Sequence, residues 1–148
     1  MNITLYSITS FSIILLFSLI LSIQDIKKLE VSIHLQWVSI FAALICHLIF
    51  AREQMWIFII SSMILGTIYF AIRKITKNRL GPADVWFGFF QGLFLYPIMI
   101  WVCLAIETVL ALVIENKKIG HKQFAFIPYM AAGLIGAVLI HYFRGITF

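Results

Sequence analysis

The fold of this chain is decided near its beginning, where residues 3–28 read ITLYSITSFSIILLFSLILSIQDIKK. Residues 3–23 form an apolar run without a charged side chain, and Asp25, Lys27 and Lys28 follow directly. A helix needs about 20 predominantly apolar residues to cross the hydrocarbon core of a bilayer. This stretch therefore predicts a membrane-spanning helix with a carboxylate close to one end.

The rest of the chain has the same character. It is 63% hydrophobic and 11% charged, with a mean hydropathy of +1.06, whereas soluble domains are about half apolar and about a quarter charged. Six apolar segments are predicted, at residues 3–23, 35–50, 55–72, 85–95, 97–114 and 127–143. We therefore predict an all-α integral membrane protein, a bundle of about six transmembrane helices that forms a single domain over residues 1–148. An alternative joins segments four and five into one helix kinked at Pro97, but proline suits the first turn of a new helix.

Lysine and arginine are distributed unevenly between the two sides of such a bundle. Only Arg52 and Arg144 fall on one side. Nine basic residues fall on the other, in the loops after segments one, three and five: Lys27, Lys28, Arg73, Lys74, Lys77, Arg79, Lys117, Lys118 and Lys122. The positive-inside rule makes that side cytoplasmic. We predict a multi-pass protein of the cytoplasmic (inner) membrane with both termini extracytoplasmic. The net charge of +5 then reflects topology, and no nucleic-acid partner is predicted.

Several catalytic patterns are absent from the sequence. The four histidines are scattered without the H-E-x-x-H spacing of a zinc protease. The two cysteines have no C-x-x-C spacing, and no G-x-S-x-G elbow supports a serine nucleophile. These absences disfavour a metal site and a serine nucleophile.

Two carboxylates stand out among only six acidic residues. Asp25 ends the first segment, and Asp84 falls in the first turn of the fourth if that helix begins near Pro82. Ionisable groups at a bilayer are costly and tend to be functional, and two carboxylates on one face suit acid–base chemistry. Because a helix N-terminus favours negative charge and a C-terminus disfavours it, we take Asp84 as the base and Asp25 as the acid.

Three stretches carry a family resemblance. Residues 25–32 (DIKKLEVS) combine a helix-ending aspartate with basic residues, residues 81–84 read GPAD, and residues 126–133 (FIPYMAAG) include Pro128. In this order they resemble the first-aspartate motif, the Gly-x-Gly-Asp signature and the final-helix element of type IV prepilin peptidases and preflagellin peptidases. Ala83 stands where the family has the second glycine, and Val31-Ser32 stand where it has Ile-Pro.

The resemblance implies an intramembrane aspartic endopeptidase with Asp25 and Asp84 as its catalytic carboxylates. Such enzymes cleave the leader peptide of prepilin-like substrates, such as type IV pilins, preflagellins or pseudopilins, at the cytoplasmic membrane face. The chain lacks the length and the cysteines for the zinc-binding insertion of larger members, so it resembles the short, peptidase-only forms. The implied partners are the substrate and the lipid bilayer, and no cofactor is implied. The sequence predicts no oligomeric state.

Four other residues are candidates for supporting the site: Gly81, Ala83, Gln91 and Pro128. Gly81 and Ala83 are predicted to let backbone or substrate approach Asp84 closely, although Gly-Pro also marks plain turns. Gln91, seven residues after Asp84, should lie two turns deeper on the same helical face. It is either a hydrogen-bond donor to the site or an amide that joins two helices.

Two other functions are open at this stage. One is a small proton-coupled membrane transporter, with Asp25, Asp84 and Glu107 as a proton relay. Glu107 is predicted near mid-membrane, facing the bundle interior, but the two aspartates lie at one face, whereas a relay needs groups at staggered depths. The other is a catalytically inactive family member acting in pilus or secretion assembly, which only the altered Gly-x-Gly-Asp motif favours.

Overall fold

Each predicted apolar segment corresponds to a helix in the computed structural model, which describes residues 3–77, 80–115 and 125–143. The α-helices of these residues are α1 (Ile3–Lys28), α2 (Ile33–Phe50), α3 (Met55–Ile75), α4 (Pro82–Gly92), α5 (Pro97–Glu115) and α6 (Ile127–Phe143), with a 3-10 turn at Arg52–Gln54. The all-helical fold class is thereby confirmed.

Several helices extend beyond their apolar segments. α1 continues past residue 23 to Lys28, and α3 continues past residue 72 to Ile75, because Gln, Lys and Arg sustain a helix about as well as Leu does. α4 begins at Pro82, so Asp84 lies in its first turn as predicted. Residues 93–96 separate α4 from α5. The alternative of one continuous helix kinked at Pro97 is therefore wrong.

Within the described residues, four helices are long and apolar enough to cross a membrane. The candidate spans are Leu5–Lys28, Ile33–Phe50, Arg52–Ile75 and Pro97–Ile114. α6 is shorter, at 17 residues, and α4 has only 11. At 1.5 Å per residue α4 is about 16 Å long, roughly half the thickness of a hydrocarbon core. Five of the basic residues from which the orientation was predicted lie outside the described residues: Arg79, Lys117, Lys118, Lys122 and Arg144.

α4 is the shortest helix and lies inside the bundle. It packs against α2, α3 and α6, and seven of its 11 residues are buried. Gly92 permits a close approach to α3, since a Cβ here would overlap the backbone of Ser62. One turn earlier, Gly88 leaves room for the ring of Tyr69. This close contact with α3 holds the helix that carries Asp84.

Candidate active site

Asp25 lies in the last turn of α1. Leu29 follows the helix with a left-handed φ of 52°, and its N–H donates to the carbonyl oxygen of Asp25 at 2.9 Å. Helices are often closed in this way, although glycine is the usual residue at the left-handed position. The turn ends α1 and leads the chain into α2. The Asp25 side chain is left at the end of the helix, only 7% exposed.

The Asp25 carboxylate is held by the start of α6. Its Oδ2 accepts a hydrogen bond of 2.9 Å from the backbone N–H of Ile127, the first residue of that helix. N–H groups of a first turn have no partner within their own helix, and the positive end of the helix dipole favours an anion there. The prediction that Asp25 is the acid relied on its position at the end of α1, and this contact with the start of α6 removes that basis. Both aspartates face a helix N-terminus, so the helix ends do not distinguish their roles.

Asp84 folds back onto the residue that precedes its own helix. Its Oδ2 accepts a hydrogen bond of 2.8 Å from the N–H of Gly81, the N-cap of α4, which is the carboxylate half of a capping box. A Cβ on Gly81 would lie 3.3 Å from the same oxygen, a close contact that glycine avoids. The predicted role of Gly81 in allowing close approach to Asp84 thus has a geometric basis. Asp84 is 6% exposed.

Gln36 anchors the first turn of α4 from α2. Its Nε2 donates a hydrogen bond of 2.8 Å to the carbonyl oxygen of Ala83, and the side chain is 1% exposed. Ala83 contributes only its backbone carbonyl oxygen to this contact. Gln36 was not predicted as a site residue from the sequence. Its one signal was a polar amide in an otherwise apolar segment, where such a group needs a buried partner.

A cavity of about 670 Å³ brings the two aspartates together. Its lining comes from the ends of α1 and α3, the starts of α2 and α4 and the chain before α6: Asp25, Leu29, Glu30, Val31, Ile33, Gln36, Thr76, Leu80, Gly81, Pro82, Ala83, Asp84, Trp86 and Phe126. Pockets that bind ligands commonly measure about 300–1,000 Å³. The two aspartate carboxyl groups interact electrostatically across this site.

The charge of the lining is opposite to that of the whole chain. Asp25, Glu30 and Asp84 contribute three carboxyl groups, and the described lining residues include no lysine or arginine, although the net charge of the chain is +5. Arg73, near the end of α3, interacts electrostatically with Asp84 from outside the lining. The arrangement offers two buried carboxyl groups at one open space, which is what acid–base catalysis on a bound substrate requires.

The remaining predicted site residues lie away from the cavity lining. Gln91 is fully buried and joins helices, donating to the carbonyl oxygen of Met130 at 2.6 Å and to Glu107 at 2.7 Å. These contacts fit the predicted interhelical amide, and not the alternative of a hydrogen-bond donor to the site. Pro128 is half-buried in the first turn of α6, directly after Ile127. Its missing N–H is harmless at that position.

Among residues 3–77, 80–115 and 125–143, no three His, Cys, Asp or Glu side chains lie close enough together to hold a metal ion.

Comparison with known proteins identified no relative of this chain. No protein-family model matches the chain, and comparisons with curated proteins and with solved structures gave no match.

Proposed function

We propose that this chain is an intramembrane aspartic endopeptidase that removes the leader peptide from prepilin-like membrane proteins. The observation that carries the proposal is that Asp25 and Asp84, from helices far apart in sequence, are both buried and both line one cavity. Burial of a carboxyl group is costly without a compensating role. Hydrolysis without a metal ion or a covalent nucleophile needs at least two such groups at one cavity, one as general acid and one as general base.

The proposed reaction uses the two carboxyl groups as a pair that shares one proton. The ionised group takes a proton from a water molecule as the water oxygen attacks the scissile carbonyl carbon. The protonated group gives its proton to the carbonyl oxygen, so that a tetrahedral diol forms. When the C–N bond breaks, the group that took the proton from water gives it to the departing amine, one diol hydroxyl returns a proton to the other group, and the leader ends in a new carboxyl group. The proton belongs to the pair, so Asp25 and Asp84 are not assigned separate roles.

The proposed membrane arrangement follows from the ends of the helices that carry the site. Lys27 and Lys28 end α1, and Arg73 and Lys74 lie in the last turn of α3, close to the cavity. Positively charged helix ends favour the cytoplasmic side. We therefore propose six spans in the cytoplasmic membrane, with both termini outside and the cavity facing the cytoplasm. Because α4 is short, it would cross together with residues 93–96, shielded from lipid by its neighbours.

Cleavage in cells tests the proposal. A prepilin-like substrate would be co-expressed with the native chain, with Asp25→Asn, with Asp84→Asn, or with the control Glu53→Gln. Glu53 is an exposed carboxyl group in the 3-10 turn before α3. The native chain and the control are expected to shorten the substrate by the mass of the leader, and each aspartate variant is expected to leave it intact. Equal processing by all four chains would contradict the proposal.

One observation favours the proton-coupled transporter as a second candidate. The Tyr69 hydroxyl donates a hydrogen bond to Glu107, and the Tyr69 ring lies beside Gly88, one turn after Asp84 in α4. Tyr69 thus lies between a carboxyl group in the middle of α5 and the helix that carries another in its first turn, an arrangement with the staggered depths that a relay needs. Proton uptake by vesicles containing the purified chain, lost in Glu107→Gln, would support this function. A native chain that is present in the membrane but neither cleaves nor moves protons would support an assembly role.

A further inference from the structure

Glu107 accepts hydrogen bonds from side chains of three helices. Its side chain is 1% exposed in α5. The Tyr69 hydroxyl of α3 donates to Oε2, while the Gln91 amide of α4 and the Cys103 thiol of α5 donate to Oε1 at 2.7 and 3.0 Å. A carboxylate has about four acceptor sites and no donor of its own, so Glu107 can satisfy all three partners at once. We call these four side chains the Glu107 cluster.

The Glu107 cluster also reaches α6. Gln91 donates a second hydrogen bond, of 2.6 Å, to the carbonyl oxygen of Met130. Gly133, three residues further along α6, supplies the space for the carboxylate, since a Cβ there would overlap Cγ of Glu107. Inside a membrane, polar contacts of this kind hold helices in one arrangement. The cluster therefore ties α3, α4, α5 and α6 together at one point.

These contacts fall on the face of α4 that carries Asp84. Residues four and seven positions after Asp84 lie above it on the same side of a helix. At the first of these positions, Gly88 lies against the ring of Tyr69, and at the second, Gln91 binds Glu107. Tyr69 and Gln91 thus connect Glu107 to the part of α4 that holds the aspartate.

We propose that Glu107 is a positioning residue for Asp84. By binding Tyr69 and Gln91 it fixes the rotation of α4, and with it the direction in which Asp84 enters the cavity. The inference rests on the proposed peptidase function, because only a reaction at Asp84 requires that direction to be fixed. A rotation of α4 by about 10° would move a group about 5 Å from the helix axis by about 1 Å. A misplacement of that size costs about 100-fold in rate.

The test measures kcat and KM for leader cleavage by the purified chain in lipid vesicles. Glu107→Gln is expected to lower kcat by between about 10-fold and 100-fold while KM changes by less than about 2-fold. Tyr69→Phe is expected to shift kcat in the same direction by a smaller factor. The matched control is Ser62→Ala, which removes a hydrogen bond of 2.7 Å from α3 to the Phe89 carbonyl of α4 outside the Glu107 cluster. Its kcat is expected within about 2-fold of native.

A binding measurement separates positioning from general damage to the fold. In chains that already carry Asp84→Asn, adding Glu107→Gln is expected to leave the affinity for a leader peptide unchanged, because the cluster acts on the direction of Asp84. A loss of affinity in that background would overturn the inference and assign Glu107 a purely structural role. If Glu107→Gln does not enter the membrane, the kcat of Tyr69→Phe tests the inference instead, because this substitution removes only the hydroxyl oxygen that binds Glu107.

The outcomes also separate this inference from the function on which it rests. A native chain that cleaves no substrate, or a fully active Asp84→Asn, overturns the proposed function and the inference with it. A native chain that needs Asp84 while Glu107→Gln keeps native kcat overturns the inference alone. Equal losses in Glu107→Gln and Ser62→Ala also overturn it, because they show that any contact between α3 and α4 matters as much.

Discussion

Replacing Gly81 with alanine should slow leader cleavage without weakening the fold. The backbone of Gly81 has φ of −68° and ψ of 158°, which alanine adopts freely. The added Cβ would lie 3.3 Å from Oδ2 of Asp84, so the carboxylate must move by a few tenths of an ångström. If 1 Å costs about 100-fold, a shift of about 0.3 Å corresponds to about a 4-fold loss of kcat. At a compatible position, the same substitution stabilises the fold by about 0.4–1 kcal/mol.

The assay for Gly81→Ala compares kcat with the midpoint of thermal unfolding, both measured on the purified chain in lipid vesicles. Gly136→Ala in α6 is the control, because its added Cβ would meet only the end of the Ile106 side chain, at 3.0 Å. We expect kcat to fall in Gly81→Ala alone, with a midpoint equal to or above that of the native chain. Native kcat in Gly81→Ala would refute the reasoning. A loss of kcat that follows a lowered midpoint would refute it as well.

Three further substitutions test the surrounding structure. Gly92→Ala should lower the unfolding free energy by about 1–3 kcal/mol and the thermal midpoint by about 2–12 °C, because the new methyl group overlaps the backbone of Ser62; an unchanged midpoint would contradict the close approach of α3 and α4. Gln36→Met should cost about 0.5–1.5 kcal/mol and lower kcat, since the hydrogen bond to Ala83 holds the first turn of α4; native kcat would show that this bond does not support the site. Tyr6→Phe removes a hydrogen bond of 3.1 Å to the buried His47 of α2. Because Tyr6 lies about 28 Å along α1 from the site, the substitution should lower the thermal midpoint and leave kcat unchanged. A lower kcat would contradict this separation of Tyr6 from the site.

The helices were predictable because their signals are local. Apolar runs located all six, and Gly81-Pro82 marked the start of α4 while Pro97 marked the start of α5. The predicted ends of the helices were less accurate. α1 continues past the predicted end at residue 23 to Lys28, because charged residues also sustain a helix. α4 stops at Gly92, where residues 93–96 turn the chain before α5.

The candidate site was predictable only in part. Counting basic residues placed Asp25 and Asp84 on one side of the bundle, and both line the same cavity. The hydrogen bond from Ile127 to Asp25 joins positions 102 residues apart, and no local pattern encodes such a contact. Gln36 carried a weak signal as a polar residue in an apolar segment. Glu107 was predicted to face the interior, but its partners depend on the rotation of four helices, which hydrophobic patterns alone do not fix.

The central claim is that Asp25 and Asp84 act together as one catalytic pair. The most direct measurement is the rate at which the purified chain in lipid vesicles splits a prepilin-like substrate, with both products identified by mass. The native chain should release a leader and a shortened substrate, and Asp25→Asn and Asp84→Asn should each be slower by about 100-fold or more. Cleavage at the native rate by either variant would contradict the claim.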